Sequence, residues 1–417
     1  MARLTSNIGS LYALQIANYV LPLITLPYLV RVLGIQDYGL LAFTYSLIQY
    51  FVIITDYGFN LSATRQVAMY KLDEYKLSQV VSAVFFIKTG FMILSALVLS
   101  AIVYFVDEYR TLWVLYVVGF SLVIGNVLFP VWLYQGMEKM AVITILNVSA
   151  KAISAVAIFI FVQEKADLPI AVFLQSAGGL FAGLGSIYVM HQFFPSVRIC
   201  IPDVSFIKNT LNEGWHIFVS QLSANLVSNS NVLILGIFHG SHSVGQYAIA
   251  EKIIKAAINL QMPVCNAVFP RVGVLFRDSP ASARAFLRRI IKYFLPVAAT
   301  VSLCMLFGAD KIILLIAGTS DPEAALLIQI MSLLPITVFL DNIFGTQILL
   351  NLGYKRQFMN AILYSGIIAI VLSLILVPRF SAMASASIYL GSEIILLLIM
   401  IWQVRRLGLW RDGKDVS

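Results

Sequence analysis

Residues 79–106, QVVSAVFFIKTGFMILSALVLSAIVYFV, run for 28 positions with a single charge, Lys88. At ~1.5 Å per residue such a helix exceeds the ~30 Å hydrocarbon thickness of a bilayer, so it reads as a membrane crossing. The rest of the chain is of the same kind. Of 417 residues, 60% are apolar and 12% charged, and the mean hydropathy is +0.90. Water-facing folds carry about a quarter charged residues. Half that density cannot cover a soluble surface, which excludes a soluble enzyme, a nucleic-acid-binding module and a disordered chain. The expected fold class is an all-α polytopic membrane protein.

Apolar runs place spans at 9–30, 39–61, 79–106, 111–134, 140–162 and 169–190, then at 214–238, 246–270, 289–308, 323–350, 357–377 and 383–402. That is an expectation of twelve, in two six-helix lobes: 1–195, a cytoplasmic linker at 196–213 with Pro202, and 214–417. The start, Met1–Asn7, reads as the approach to the first span rather than a removable signal. The net charge of +8 is unevenly spread. With the N-terminus inside, eighteen Lys and Arg fall in inner loops, five in outer loops (Arg31 among them) and five within spans. This is the bias of cytoplasmic loops facing anionic lipid, and it puts both termini inside.

The halves repeat. Gly34-x4-Gly39 follows the first span and Gly240-x4-Gly245 the seventh, an offset of 206. The same offset carries Gln15 to Gln221 and Tyr19 to Asn225. Later, 135–139 resembles 352–356, which would match Gly136 to Gly353. Six spans per half is an even number, so the repeats share one orientation and a substrate site is expected where the lobes meet.

Five lysines sit inside spans: Lys88, Lys151, Lys252, Lys255 and Lys292. Each costs ~2.5–3.5 kcal/mol at a helix centre, so each must pair, snorkel or line water. Lys292 is near a span end and can snorkel. Glu251 and Lys255 stand four apart with the acid first, the favourable order for a helical pair. Lys88, Lys151 and Lys252 are expected to line a water-filled cavity, with a structural interhelical pair as the alternative. Among the acids in spans, Asp56 and Asp341 are read as wet span ends. Glu393 lies near mid-span, so it needs a proton, a partner or a task. Gln221, Asn225, Ser228 and Asn229 form a polar stripe on one helix face, widened by Ser230 and Asn231, with Gln15 and Tyr19 as its counterpart in the first half. Amides and phenols at this spacing suit sugar hydroxyls or water. Gly178, Gly179, Gly183 and Gly185 include a GxxxG and mark close helix packing.

Other chemistries lack their residues. There is no GxxxxGK phosphate loop, and His191, His216, His239 and His242 make no metal set. Cys200, Cys265 and Cys304 form no CxxC and read as inert. Outer loops are too short for a glycan-processing enzyme, which stays the remoter alternative.

The stretch 18–34, NYVLPLITLPYLVRVLG, with Tyr38-Gly39, resembles the polysaccharide-transporter family, and Asp56-Tyr57-Gly58-Phe59-Asn60 through Arg65 resembles the end of span two in O-antigen flippases. These belong to the multidrug/oligosaccharidyl-lipid/polysaccharide exporter superfamily. The resemblance implies a multi-pass protein of the bacterial inner membrane, not an enzyme, that moves a polyprenyl-pyrophosphate-linked oligosaccharide to the outer leaflet by alternating access. No bound cofactor and no nucleic acid are expected, the polysaccharide polymerase and chain-length machinery are candidate partners, and coupling to a proton or Na+ gradient would need an acid such as Glu393 or Glu251. On this reading Arg31, Lys88, Lys151 and Lys252 meet the anionic head or the sugar, with Lys255 a further substrate-binding candidate. Gln15, Tyr19, Gln221, Asn225 and Asn229 meet the sugar. Asp56 with Arg65 forms an inner gate, and Glu251 or Glu393 couples the ion. The alternative within the superfamily is a multidrug cation antiporter, against which the surplus of lysines argues. For the topology, reporter fusions in the loop 271–289 are expected to report the cytoplasm, and an external signal there would overturn the orientation.

Overall fold

The structure is a computed structural model that describes the backbone of residues 2–410 and the side chains of 20–222, 225 and 230–410. The chain falls into two compact units, Met1–Asn225 and Leu226–Ser417. The first contains α1 (Ala2–Asp56), α2 (Phe59–Met69), α3 (Glu74–Phe105), α4 (Asp107–Thr111), α5 (Trp113–Gly119), α6 (Ser121–Leu128), α7 (Val131–Gly136), α8 (Met140–Phe161) and α9 (Leu168–Phe193). Helix α10 (Val204–Asn259) passes from one unit into the other. The second continues with α11 (Met262–Asp278), α12 (Pro280–Ala317), α13 (Pro322–Met331), α14 (Leu334–Asp341), a π-helical segment Asn342–Leu350 and α15 (Lys355–Arg406). No strand occurs among the described residues. A bilayer core offers backbone groups no water, so a helix that bonds its own backbone is the consistent solution.

Eight helical stretches among the described residues are long and apolar enough to cross a membrane, so this is a multi-pass membrane protein. Two of these eight, the stretches of α1 and α15, join apolar runs across a bend, and α10 is not among the eight. Helices α1, α10 and α15 have 55, 56 and 52 residues, each enough for two crossings of ~20. Each is broken once, at Gly34, Gly240 and Ser381 respectively.

Gly34 has φ 81°, ψ 167° and Gly240 has φ 73°, ψ −174°. This region is open essentially to glycine alone. The two residues stand 206 apart, the offset of the sequence repeat, so the repetition is one of backbone geometry. The later match is shifted. The Lys139 amide donates to the Tyr134 carbonyl at 2.7 Å, and the Tyr354 amide donates to the Leu349 carbonyl at 2.8 Å. The left-handed residues of these two helix ends are Glu138 (φ 59°) and Gly353 (φ 83°). The structural partner of Gly353 is therefore Glu138, two residues beyond the expected Gly136. The sequence alignment followed the glycine, whereas the fold follows the turn.

The core of the first unit is built on Phe59, Ala63 and Val67 of α2, Val80, Val81 and Val84 of α3, and Trp132, Leu133 and Tyr134 of α7. The GxxxG acts as expected: a Cβ on Gly125 of α6 would run into the Gly179 backbone, and one on Gly183 would lie 2.8 Å from the Gly125 carbonyl oxygen. The segment expected to link the lobes is strapped to α3. Ser78 Oγ accepts from the Arg198 amide at 3.1 Å, Ser82 Oγ from the Cys200 amide at 2.9 Å, and Gln79 Oε1 from the Asp203 amide at 2.9 Å. The start of α3 is set by Asp73, whose Oδ1 accepts from the Lys76 amide at 3.0 Å. That bond holds the Asp73 carboxyl below its ordinary range. In the second unit, Val272 and Phe276 of α11, Leu287 of α12, Phe339 of α14, Ile343 and Ile348 of the π segment, and Met400 of α15 share one core.

The matched turns give a test of opposite sign. A left-handed residue with a Cβ carries a penalty of roughly 1–2 kcal/mol. Gly353→Ala is expected to lower the unfolding midpoint in detergent by about that energy, while Glu138→Gly raises it by up to ~1 kcal/mol after the entropy of glycine is counted. Shifts in the same direction would refute the equivalence.

Candidate functional site

The Lys88 ammonium is the most deeply buried charge expected to do work, with the residue 1% exposed. Val81, Val84 and Lys88 fall on one stripe of α3, and that stripe faces the core. Lys88 Nζ lies 3.3 Å from Asp56 Oδ1 and donates to the Asn126 carbonyl of α6 at 3.0 Å. Asp56 Oδ2 accepts from Asn60 Nδ2 at 2.6 Å. Four elements thus converge on one charge pair: the end of α1, the start of α2, α3 and α6.

The motif Asp56-Tyr57-Gly58-Phe59-Asn60 is explained residue by residue. The helix breaks at Tyr57 and Gly58, both at positive φ. A Cβ on Gly58 would lie 2.7 Å from Ile217 Cγ2 of α10. The Tyr57 ring stacks on Phe218 with centroids 4.8 Å apart. Phe59 is wholly buried. Asp56 and Asn60 form the polar corner facing Lys88.

This corrects two expectations. Lys88 does not line water but is buried against a carboxylate. Asp56 is not a wet helix end and pairs with Lys88 rather than Arg65, which is exposed and in no ion pair among the described residues. The pairing escaped the sequence because its members stand 32 residues apart. Asn60, four residues after Asp56, was the local signal that a polar corner forms there. Asn126 contributes a backbone carbonyl and left no signal at all.

The other expected residues are distributed over both units. Lys151 is half-buried on α8, Lys252 half-buried on α10, Arg31 exposed on α1, and Lys292 exposed on α12. Lys255 Nζ pairs with Glu251 Oε1 at 3.0 Å, as their spacing suggested. Gln221 and Asn225 are half-buried, and Asn225 Nδ2 donates to the Gln221 carbonyl at 2.9 Å. The side chains of Gln15, Tyr19, Ser228 and Asn229 lie outside the described residues. Asn231, expected to widen a wet stripe, is buried instead. It donates to Tyr247 Oη at 3.3 Å and accepts from Ser373 Oγ at 3.1 Å, tying α10 to α15.

Glu393 of α15 finds a partner that sequence reasoning set aside. Its carboxyl lies within interaction range of that of Asp341, the last residue of α14, whose two carboxyl oxygens are buried with no hydrogen-bond partner among the described residues. Asp341 is buried, not wet as expected. The π-helical segment begins at the next residue, and such segments often mark functional positions. Gln347 of that segment donates to the Asn342 side chain at 3.0 Å and the Cys265 carbonyl at 2.9 Å, which fixes it to α11.

Removing one partner of a buried pair strands the other charge, at about 3–5 kcal/mol. Asp56→Asn alone is therefore expected to depress the unfolding midpoint more than Asp56→Asn combined with Lys88→Met, measured by thermal denaturation in detergent. Additive losses would show that the two groups are uncoupled.

Residues 4–276 match the family model described as polysaccharide biosynthesis protein. The chain is 30% identical over 404 residues to the "Putative O-antigen transporter" of Escherichia coli (strain K12), covering 96% of this chain and 97% of that protein. It is 26% identical over 399 residues to a protein of the same description from Shigella dysenteriae, covering 96% and 99%. Its fold resembles an inward-facing multidrug resistance MATE family transporter of the MOP superfamily (TM-score 0.71, 14% identity, 97% and 98% covered). It equally resembles the lipid II flippase MurJ in an inward closed conformation (TM-score 0.74, 11% identity, 97% and 90% covered). With a family match over most of its length and a relative aligned nearly end to end, this multi-helical membrane chain belongs to the polysaccharide biosynthesis protein family.

Proposed function

We propose that the chain is a flippase of the bacterial inner membrane that moves a polyprenyl-pyrophosphate-linked O-antigen or similar repeat unit from the cytoplasmic to the periplasmic leaflet by alternating access. The observation that carries this reading is the nearly end-to-end likeness to the "Putative O-antigen transporter" of Escherichia coli (strain K12). The chemistry of the chain supports it. A pyrophosphate is a compact dianion or trianion, and an ammonium is a compact cation suited to it in a poorly solvated setting. Lys151 and Lys252, half-buried on apolar helices, are the leading groups for the head, with Arg31 and Lys255 beside them in the assignment. Lys88 joins them only when its contact with Asp56 opens, and an incoming anion that replaces the carboxylate removes the penalty of stranding it. Gln221 and Asn225, with Gln15, Tyr19 and Asn229, are the groups for the sugar.

A proton or Na+ gradient drives the cycle in this reading. Because Glu251 is engaged by Lys255, the coupling role falls to Glu393 together with Asp341. The polymerase and chain-length machinery would take the product on the outer face.

The test is leaflet accessibility of a lipid-linked oligosaccharide in liposomes. The protein is expected to expose the sugar to an external modifying reagent, and Lys151→Ala with Lys252→Ala to slow exposure roughly tenfold or more, the equivalent of one lost charged contact. Equal rates with and without protein would refute the flippase. Full activity of the double variant would refute the lysine assignment.

A further inference from the structure

Helix α15 ends in a turn at Gly408 (φ 67°), where the Leu409 amide donates to the Val404 carbonyl at 3.0 Å. Such a turn satisfies the last carbonyls of a helix and sends the chain back along it. It lays the Trp410 ring beside Phe344 of the π segment, with centroids 5.6 Å apart. The Arg288 guanidinium of α12 stands 5.7 Å from the centroid of the same Trp410 ring. Two more arginines at this end of the second unit are seated in the same way. Arg271 of α11 lies over Phe286 of α12 at 5.1 Å, and Arg406 of α15 over Trp402 at 5.1 Å. Phe286 and Trp410 pack on one core together with Leu352 and Tyr354, so the ends of α11, α12 and α15 form a single face.

That face is charged in one sense. Its segments, 271–292, 355–356 and 405–406, carry nine exposed Lys and Arg against one acid, Asp278, which Arg277 engages at 3.4 Å. The loops of the first unit expected on the same side, 65–76, 138–139 and 198–213, carry six exposed cations and five acids. There Lys71 pairs with Glu138 and Lys76 with Asp73. Topology needs only the sum of the inner charges and no arrangement of them. The second unit has an arrangement. An aromatic ring covers one face of a guanidinium and leaves its planar N–H edge for the paired oxygens of a phosphate. The ring also holds the long side chain still before the ligand arrives, so less freedom is lost on binding. Position selects the kind of phosphate. The arginines of α12 and α15 stand near the ends of helices apolar enough to cross a membrane, with exposed Trp402 and Tyr293 among them. Amphipathic rings of this kind belong at the level of lipid headgroups, and basic pockets between helix ends take anionic ones.

We propose that this end of the second unit is a docking surface for anionic phospholipid, whose phosphate is gripped by Arg271, Arg288 and Arg406. The first unit, with its cations balanced by acids, offers no such surface among the described residues. The proposal does not depend on what the chain transports.

The test counts lipids retained by the purified full chain, by native mass spectrometry after titration with phosphatidylglycerol or phosphatidylcholine. Phosphatidylglycerol is expected to be retained at roughly tenfold lower concentration than phosphatidylcholine. Arg271→Lys, Arg288→Lys and Arg406→Lys together keep every positive charge but remove the planar fork, and should cancel about that advantage. Because net charge is unchanged, such a loss cannot be assigned to topology. Lys71→Gln with Lys76→Gln, in the first unit, should leave retention as it was. Should the triple variant misfold, Arg406→Lys alone carries the test, with a loss of about threefold. Equal retention of the two lipids, full retention by the lysine variants, or a loss caused equally by the first-unit variant would overturn the proposal. Tighter retention of polyprenyl phosphate than of phosphatidylglycerol would give the face to the carrier lipid and overturn it as well.

Discussion

An ammonium group placed among apolar helices must have a counter-charge within reach, and the first unit is arranged around that requirement at Lys88. The stripe of α3 that buries Val81 and Val84 also buries Lys88 one turn on. The lysine therefore has no route to solvent and takes Asp56 and the Asn126 carbonyl. Meeting it requires that α1 end at Asp56, that the chain turn at Tyr57 and Gly58, and that α6 come close enough to offer a carbonyl. The close approach of Gly125 to Gly179 lets α6 and α9 pack tightly on each other. Residues that look like separate motifs in the sequence are thus parts of one solution to a single desolvated charge. The pair is poor evidence of net stability, since an apolar replacement of similar volume is often as good. Its consequence is positional, because it fixes where four helices meet.

How much of this was legible depended on distance along the chain. Glu251 and Lys255 are one helical turn apart, and the pair they form could be read directly. Lys88 and Asp56 belong to different helices, and composition could say only that each needed something. Asp341 was misread for the same reason: its neighbour Glu393 is 52 residues away, so it looked like a solvated span end rather than half of an acid pair. Asn231 was misread in the opposite sense. An amide stripe suggests water, but Tyr247 and Ser373 satisfy Asn231 inside the second unit. Helix type and the GxxxG contact followed from sequence because each depends on local chemistry.

The repeats show where that local chemistry is decisive. Gly34 and Gly240 adopt the same rare backbone conformation, which a residue with a Cβ reaches only under strain. At the later turn the same left-handed geometry is met by Glu138 in one half and Gly353 in the other, so the two turns share a hydrogen bond without sharing a residue type. Side-chain chemistry diverged further. The first unit buries a lysine on an aspartate, and the second brings two carboxyl groups within range of each other. A fold shared with multidrug transporters and a lipid flippase alike therefore says where the chain bends, not what it carries. What it carries must be argued from groups that differ between the halves: the cations of α3, α8 and α10, and the acid pair at the π segment. The buried lysine–aspartate pair of one unit and the neighbouring carboxyl groups of the other meet different solvation demands on a backbone that bends at matching glycines.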